Sequence, residues 1–278
     1  MQNGGMMRFL ALALLTLPAP ALAQKVGDTT TILRQHQVSQ QSAGSSSTSS
    51  NSDAVTERVT AVRPDGVELE YDVQGNGGWQ FPVRVFRPTK GPLRLVDAKA
   101  LDARVDGWLR QNGLTRAACG HWVMTWNAFK IECDPQSVLT AVEAFQVEPE
   151  VLREGAPFTV PGARGSVPLT KKGNRFVAEL TADPEAVRKE RIDNDLGAAE
   201  INGQKLTADA ARRAHAGDAI SGTITVTFDL DDSGHTVRRT TVRKVQIKGA
   251  DGRVETNIVT EVLERRVAPK PPRDPNMV

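Results

Sequence analysis

The chain has 278 residues, of which 39% are hydrophobic and 24% are charged, and its formal net charge at pH 7 is +2. This length is enough for a sizeable hydrophobic core in one large domain or two small ones. Because the charge is so nearly balanced, a dedicated nucleic-acid-binding protein, which usually carries a strongly basic face, is not expected.

The first 23 residues have the layout of a secretory signal peptide. Arg8 gives a basic start, residues 9–17 are apolar, and Ala21-Leu22-Ala23 is a small-x-small cleavage site. The apolar run is shorter than the roughly 20 residues that a membrane-spanning helix needs, and no later stretch is apolar enough to be a transmembrane segment. We therefore predict an exported, periplasmic protein.

Residues 24–53 are predicted to be a flexible N-terminal segment and linker. Within them, residues 39–53 are almost entirely serine, threonine, asparagine and glutamine. Such a tract has little to bury, so burial does not offset the entropy lost on ordering. Residues 30–38 have the pattern of one strand or helix.

The next predicted unit is an α+β domain over residues 54–148. Alternating apolar residues predict a hairpin whose strands, 54–63 and 67–73, flank an Asp-Gly turn, and a third strand over 80–87. Apolar residues at helical spacing predict a helix over 97–112.

Two cysteines, Cys119 and Cys133, fall in this unit. In an oxidising compartment an isolated pair is most simply a disulfide, here clamping the open end of a short hairpin. That hairpin carries Trp122 and Trp126, half of the chain's four tryptophans. Core packing explains them, and an exposed aromatic contact surface for a partner or ligand is the alternative.

A second α+β domain is predicted over residues 149–267. Asp183-Pro184 is a typical helix start, so helices are expected over 184–196 and 207–216. The remaining residues, 268–278, hold four prolines and are predicted to be a disordered tail.

This second unit ends in three long alternating runs over residues 218–267, which predict a three-stranded antiparallel meander. The alternation breaks within the middle run, which indicates a β-bulge near residues 238–243. The fold class is therefore predicted to be α+β, mainly antiparallel sheet, with a few short helices packed on it.

The middle strand of the meander is rich in cationic side chains. A solvated sheet face with charges that discourage edge-to-edge aggregation explains them. The alternative is a basic strip that binds an anionic polymer of the cell envelope. The candidate contacts are Arg238, Arg239, Arg243 and Lys244.

No motif predicts a metal site, a cofactor or an assembled catalytic centre. The segment 229–234 starts like a calcium loop, but Thr240 stands where the bidentate carboxylate belongs, so a hairpin turn fits better. The four histidines, His36, His121, His215 and His235, do not have zinc-site spacing.

These features favour a non-catalytic binding or scaffolding protein of the cell envelope, one that holds an apolar ligand between sheet and helices. Two alternatives stay open. One is an exported hydrolase whose residues meet only in the folded chain, and the other is an assembly component that acts through contacts with envelope proteins.

Overall fold

The structure is a computed structural model that describes residues 24–42, 44–73, 75, 78–124 and 128–267. The predicted signal peptide (1–23), the predicted tail (268–278) and Trp126 lie outside these residues, and so does part of the tip of the disulfide-clamped hairpin.

Fourteen strands and four helices lie within the described residues. The helices are α1 (Ala98–Gln111), α2 (Ser137–Glu143), α3 (Pro184–Ile201) and α4 (Ala208–His215). The strands are β1 (Thr29–Ser42), β2 (Ser45–Arg63), β3 (Gly66–Val73), β4 (Val83–Pro88), β5 (Arg94–Leu95), β6 (Trp122–Met124), β7 (Ala128–Lys130), β8 (Pro157–Phe158), β9 (Val167–Pro168), β10 (Thr170–Lys172), β11 (Arg175–Thr181), β12 (Ala219–Leu230), β13 (Thr236–Lys248) and β14 (Val254–Val267).

Ten of these described strands form one sheet in the order β10-β11-β12-β13-β14-β1-β2-β3-β4-β5, and every neighbouring pair is antiparallel. This confirms the α+β class and the dominance of antiparallel sheet. Strands β12, β13 and β14 are consecutive neighbours, as a meander requires. The first strand, β1, pairs with the last, β14, so the two halves of the chain share one sheet.

The structure differs from the prediction for residues 24–53, which the sequence indicated to be a flexible segment and linker. Strands β1 and β2 form a long hairpin that closes at the pair Ser42 and Ser45. Polar side chains gave no sign of this pairing, because β1 gains its order from backbone hydrogen bonds to β14 on its other side, from Thr30 opposite Val267 to Ser42 opposite Glu255. The linker prediction is therefore wrong for these residues.

The β-bulge lies at a different place from the one predicted. The register between β12 and β13 shifts at Asp229 and Leu230, which face Arg238 and Thr236, so the extra residue is Val237. Pairing from Arg238 to Lys248 is regular. The face of β13 that carries Val245 and Ile247 continues through three polar residues, Arg239, Thr241 and Arg243. The strand is therefore regular, but its sequence shows no alternation of apolar and polar residues over this part.

The buried apolar residues form two clusters on the sheet. One is built from the N-terminal half and α1 and α2, together with Leu263 of β14. The other is built from residues 156–247, including Val187 of α3 and the buried side of β12. Between them the helix-facing side of the central strands carries polar side chains among its valines, for example Glu261 and His36, which occupy neighbouring positions. The proposed boundary near residue 148 stays a prediction.

Candidate functional site

Helix α3 begins with a well-formed cap. The carboxylate of Asp183 accepts a hydrogen bond from the backbone N–H of Glu185 (3.1 Å), and Pro184 occupies the first helical position. The helix then runs five residues beyond its predicted end at Leu196. The predicted helix ended just before Gly197, whereas this glycine lies buried within the observed helix.

Two ion pairs fix the middle of α3 over the meander. Arg191 Nη1 donates to Glu255 Oε2 of β14 (2.8 Å), and Arg243 Nη2 of β13 donates to Glu190 Oε2 (2.7 Å). The same Glu255 also accepts a hydrogen bond from Gln40 Nε2 of β1 at 2.8 Å. Since these pairs cross from helix to sheet in both directions, they hold α3 at a set distance from β13 and β14.

The disulfide-clamped hairpin supports the C-terminal half of α3. Cys119 and Cys133 lie at disulfide-bonding distance, as their spacing predicted. From this hairpin the indole of Trp122 packs on Gly197. His121 Nδ1 lies 2.6 Å from Glu200 Oε1 of the same helix. The hairpin thus packs on α3.

A buried histidine joins α3 to the end of α4. His215 Nδ1 lies 2.9 Å from Asp218 Oδ2, and its Nε2 lies 2.8 Å from Asp195 Oδ2 of α3. His215 and Asp218 are both buried. Each ring nitrogen thus faces a carboxylate, and Arg191 Nε also lies 3.4 Å from Nδ1. Arg188 Nε adds a hydrogen bond to the His215 carbonyl (3.1 Å).

A groove of about 320 Å³ lies between α3 and the sheet, and we call it the α3 groove. Its walls combine charged, amide and aliphatic side chains from α3, β13, β14 and β1. The lining residues are Gln40, Val187, Glu190, Arg191, Asn194, Asp195, Arg243, Val245, Ile247, Glu255, Asn257 and Val259. This volume is at the lower end of the roughly 300–1,000 Å³ that is usual for small-molecule sites.

Two buried polar atoms in the walls of the α3 groove have no hydrogen-bond partner among the described residues. They are Asn257 Oδ1, an acceptor, and Arg243 Nε, a donor. Unpaired buried polar atoms are costly, and a bound molecule is one of the usual reasons for their presence. An acceptor and a donor without partners among the described residues thus lie just beneath the groove surface, and a ligand that carries both kinds of group can pair with them once neighbouring side chains shift.

The four predicted cationic contacts do not converge. Arg243 lines the α3 groove, whereas Arg239 donates to Glu261 at 3.1 Å. Arg238 lies on the opposite face, where its hydrogen bond lowers the pKa of Glu264. Lys244 is exposed on that same face. Acidic partners on β14 therefore neutralise part of the predicted basic strip.

Sequence reasoning did not identify His215 as distinct from the other histidines. Of those, His121 is 64% exposed beside Glu200, and His235 is 41% exposed, 3.7 Å from Asp231. The signal for His215 was its position three residues before Asp218 at a helix end, but Asp195 is on another helix. Within the described ranges, no three His, Cys, Asp or Glu side chains are placed to hold a metal ion.

In the described part of the chain no helix is both long and apolar enough to cross a membrane. No protein-family model matches this chain. No curated protein matches it either.

Solved structures give only weak similarity. A bifunctional dehydratase-cyclase domain from ambruticin biosynthesis has 9% sequence identity and a TM-score of 0.15, over 83% of this chain and 76% of that chain. The dehydratase domain from the CurF module of curacin polyketide synthase has 11% identity and a TM-score of 0.14, over 89% of this chain and 79% of that chain. Scores of this size do not establish a shared fold, and no activity is carried over.

Proposed function

We propose that this protein is an exported, non-catalytic binding protein of the cell envelope and that its ligand occupies the α3 groove. The observation that carries the proposal is the pair of uncommitted polar atoms, Asn257 Oδ1 and Arg243 Nε, in the walls of a groove of ligand size. The position between sheet and helix is the one expected from the sequence. The chemistry of the walls is more polar than expected.

The charges in the groove have both signs. Arg191 and Arg243 are the cations, and Glu190, Asp195 and Glu255 are the anions. Such walls favour a zwitterion, since an ammonium group finds carboxylates and the Asn257 oxygen while a carboxylate finds a guanidinium. A singly charged ligand of either sign would add a net charge to walls whose ion pairs, Arg191 with Glu255 and Arg243 with Glu190, already balance each other.

The aliphatic part of the groove indicates the rest of the ligand. Val187 and Val245 are buried and Val259 is half-buried, and all three line the α3 groove. An aliphatic group placed there is removed from water, at about 25 cal/mol per Å² of apolar surface. We therefore propose an amino acid with an aliphatic side chain, or a short peptide that begins with one.

The test is calorimetric titration of the chain without residues 1–23, using L-leucine as the probe. Isocaproate, which lacks the ammonium group, and isoamylamine, which lacks the carboxylate, are the matched ligands. We expect saturable binding of L-leucine that Asn257→Ala weakens, weaker binding of isoamylamine, no isocaproate binding that depends on Asn257, and recovery of unchanged L-leucine after incubation. Equal dependence of all three ligands on Asn257, or chemical conversion of L-leucine, contradicts the proposal.

Variants on one strand connect the binding to the groove. Asn257→Ala removes the uncommitted acceptor and should weaken L-leucine binding roughly tenfold or more, the size expected for a hydrogen bond to a charged group. Thr256→Ala changes the neighbouring residue, which points to the opposite face of the sheet, and should leave binding unchanged.

A further inference from the structure

A second cavity, of about 600 Å³, lies at the other end of the sheet. Its floor is formed by side chains of β1, β2, β4 and β14, and its walls by residues 88–93 and by residues 143–150, which include the end of α2. We call it the β4–α2 cavity. It shares no lining residue with the α3 groove, so the two are separate sites.

A buried polar network lies on the sheet at the floor of this cavity. Glu57 is 4% exposed and Tyr71 is 1% exposed. The Tyr71 hydroxyl donates to Glu57, and Arg87 Nη2 donates to Glu57 Oε2 (3.0 Å) and to the Tyr71 oxygen (2.5 Å). Two donors within the protein thus satisfy Glu57 Oε2, and Glu57 is buried, which leaves this oxygen little capacity for a ligand.

Arg265 is less well satisfied on the same floor. Its Nε is buried without a hydrogen-bond partner among the described residues. The acid paired with it, Glu148, is 3.6 Å away, beyond the usual length of a charge-assisted hydrogen bond. Of the two guanidinium groups on this floor, Arg87 is paired closely with Glu57 and Arg265 only loosely with Glu148, so Arg265 is the cation with hydrogen-bonding capacity left for a ligand.

The walls define the rest of a ligand. Ile32, Leu93, Phe145 and Val147 are all buried and line the cavity, so an aliphatic body fits among them. The exposed acids of the lining, Glu143, Glu148 and Glu150, outnumber Lys90 there. These acids disfavour ligands with several negative charges.

From this arrangement we infer that the β4–α2 cavity binds a small monocarboxylic acid with an aliphatic body, its carboxylate at Arg265 and Arg87. The inference is independent of the proposal for the α3 groove, because neither the residues nor the ligand charges are the same.

Calorimetric titration of the chain without residues 1–23 with octanoate tests this inference, and octan-1-ol is the uncharged matched ligand. We expect saturable octanoate binding that Arg265→Gln weakens by about tenfold or more, with little effect on octan-1-ol. Arg266→Gln changes the next residue, which is exposed and contacts Glu264, and should bind octanoate as the wild type does. Absence of saturable octanoate binding in the wild type, or equal loss in both arginine variants, overturns the inference.

A second variant keeps the test decisive if Arg265→Gln does not fold. Gln146→Trp fills the cavity from its half-buried wall without removing a charge, so it should abolish binding of octanoate and octan-1-ol together. Wild-type affinity for octanoate in this variant places the binding elsewhere and overturns the inference. Asn257→Ala, in the α3 groove, should not change octanoate binding.

Discussion

Trp122 occupies the space in which Gly197 lacks a side chain. A Cβ atom built on Gly197 would lie 2.7 Å from Cε2 of the indole, closer than side chains pack. Because Trp122 belongs to the disulfide-clamped hairpin and Gly197 to α3, this contact joins the N-terminal half of the chain to the helix that forms the α3 groove.

Gly197→Ala should therefore destabilise the fold. Overpacking against the indole costs roughly 1–3 kcal/mol, which we expect to exceed the gain of about 1 kcal/mol from replacing glycine in a helix. The free energy of unfolding, measured by urea denaturation, is the readout.

Gly107, which lies in helix α1, is the matched control. Apart from its chain neighbours and its own helix backbone, no atom of the described residues lies within 4 Å of a Cβ built there, so Gly107→Ala should be neutral or stabilising by up to about 1 kcal/mol. If both alanine variants gain stability, the indole does not constrain Gly197.

The two histidine–carboxylate contacts on α3 should differ in energy. His215→Ala removes the nearest partner of the buried Asp218, which keeps Arg191 Nε at 3.4 Å, and should cost roughly 2 kcal/mol. His121→Ala removes an exposed contact with Glu200 and should cost less than about 1 kcal/mol. Thermal and urea denaturation of both variants measures the difference, and equal losses contradict this interpretation.

Tyr71 should resist ionisation in the folded protein. Burial, followed by the negative charge of Glu57, raises the pKa of Tyr71 well above its ordinary value. It is the chain's only tyrosine, so the near-ultraviolet absorbance of tyrosinate reports on it alone. Above about pH 10 we expect this absorbance to rise only as the chain unfolds.

Tyr71 also determines the direction in which the free energy of unfolding changes with pH in this range. Above about pH 10 the folded state keeps the Tyr71 proton and the unfolded state releases it, so the free energy of unfolding falls as the pH rises. Glu57→Gln removes the neighbouring charge and should let Tyr71 ionise at a lower pH. A folded wild type that titrates near pH 10 contradicts the buried network.

Local patterns predicted some elements and not others. Alternation in β12 and the cap at Asp183 are encoded by adjacent residues, and both elements are found. The pairing of β1 with β14 joins residues far apart in sequence through backbone groups, so the side chains of residues 39–53 could not show it. Their serines indicated a linker because residues 39–42 of β1 and 45–53 of β2 are ordered by backbone hydrogen bonds and need no apolar face of their own.

The order of the β1–β2 hairpin can be measured by amide hydrogen exchange. Protection should extend along residues 32–42 of β1, since this strand pairs on both sides, and should be weaker along residues 45–53 of β2, which pair only with β1. Exchange at the rates of an unstructured peptide throughout residues 32–53 would contradict the hairpin and support the linker prediction.

The α3 groove was predictable only in its position. Helices over a meander follow from the pattern of residues 184–267. The groove's chemistry depends on the partners of Arg243, Asn257 and His215, which lie on other elements. Arg243 was noted for its charge alone. Asn257 had no distinguishing sequence signal, since its importance comes from an amide oxygen that has no hydrogen-bond partner within the described part of the chain.

The most direct test is a nuclear magnetic resonance titration of the ¹⁵N-labelled chain, without residues 1–23, with L-leucine. We predict saturable shifts of the Asn257 side-chain amide and of backbone amides at Val187 and Arg243, with little change at Arg238 and Lys244 on the opposite face. Saturable shifts that leave the α3 groove unaffected, or no saturable shifts at all, would contradict the proposed binding function.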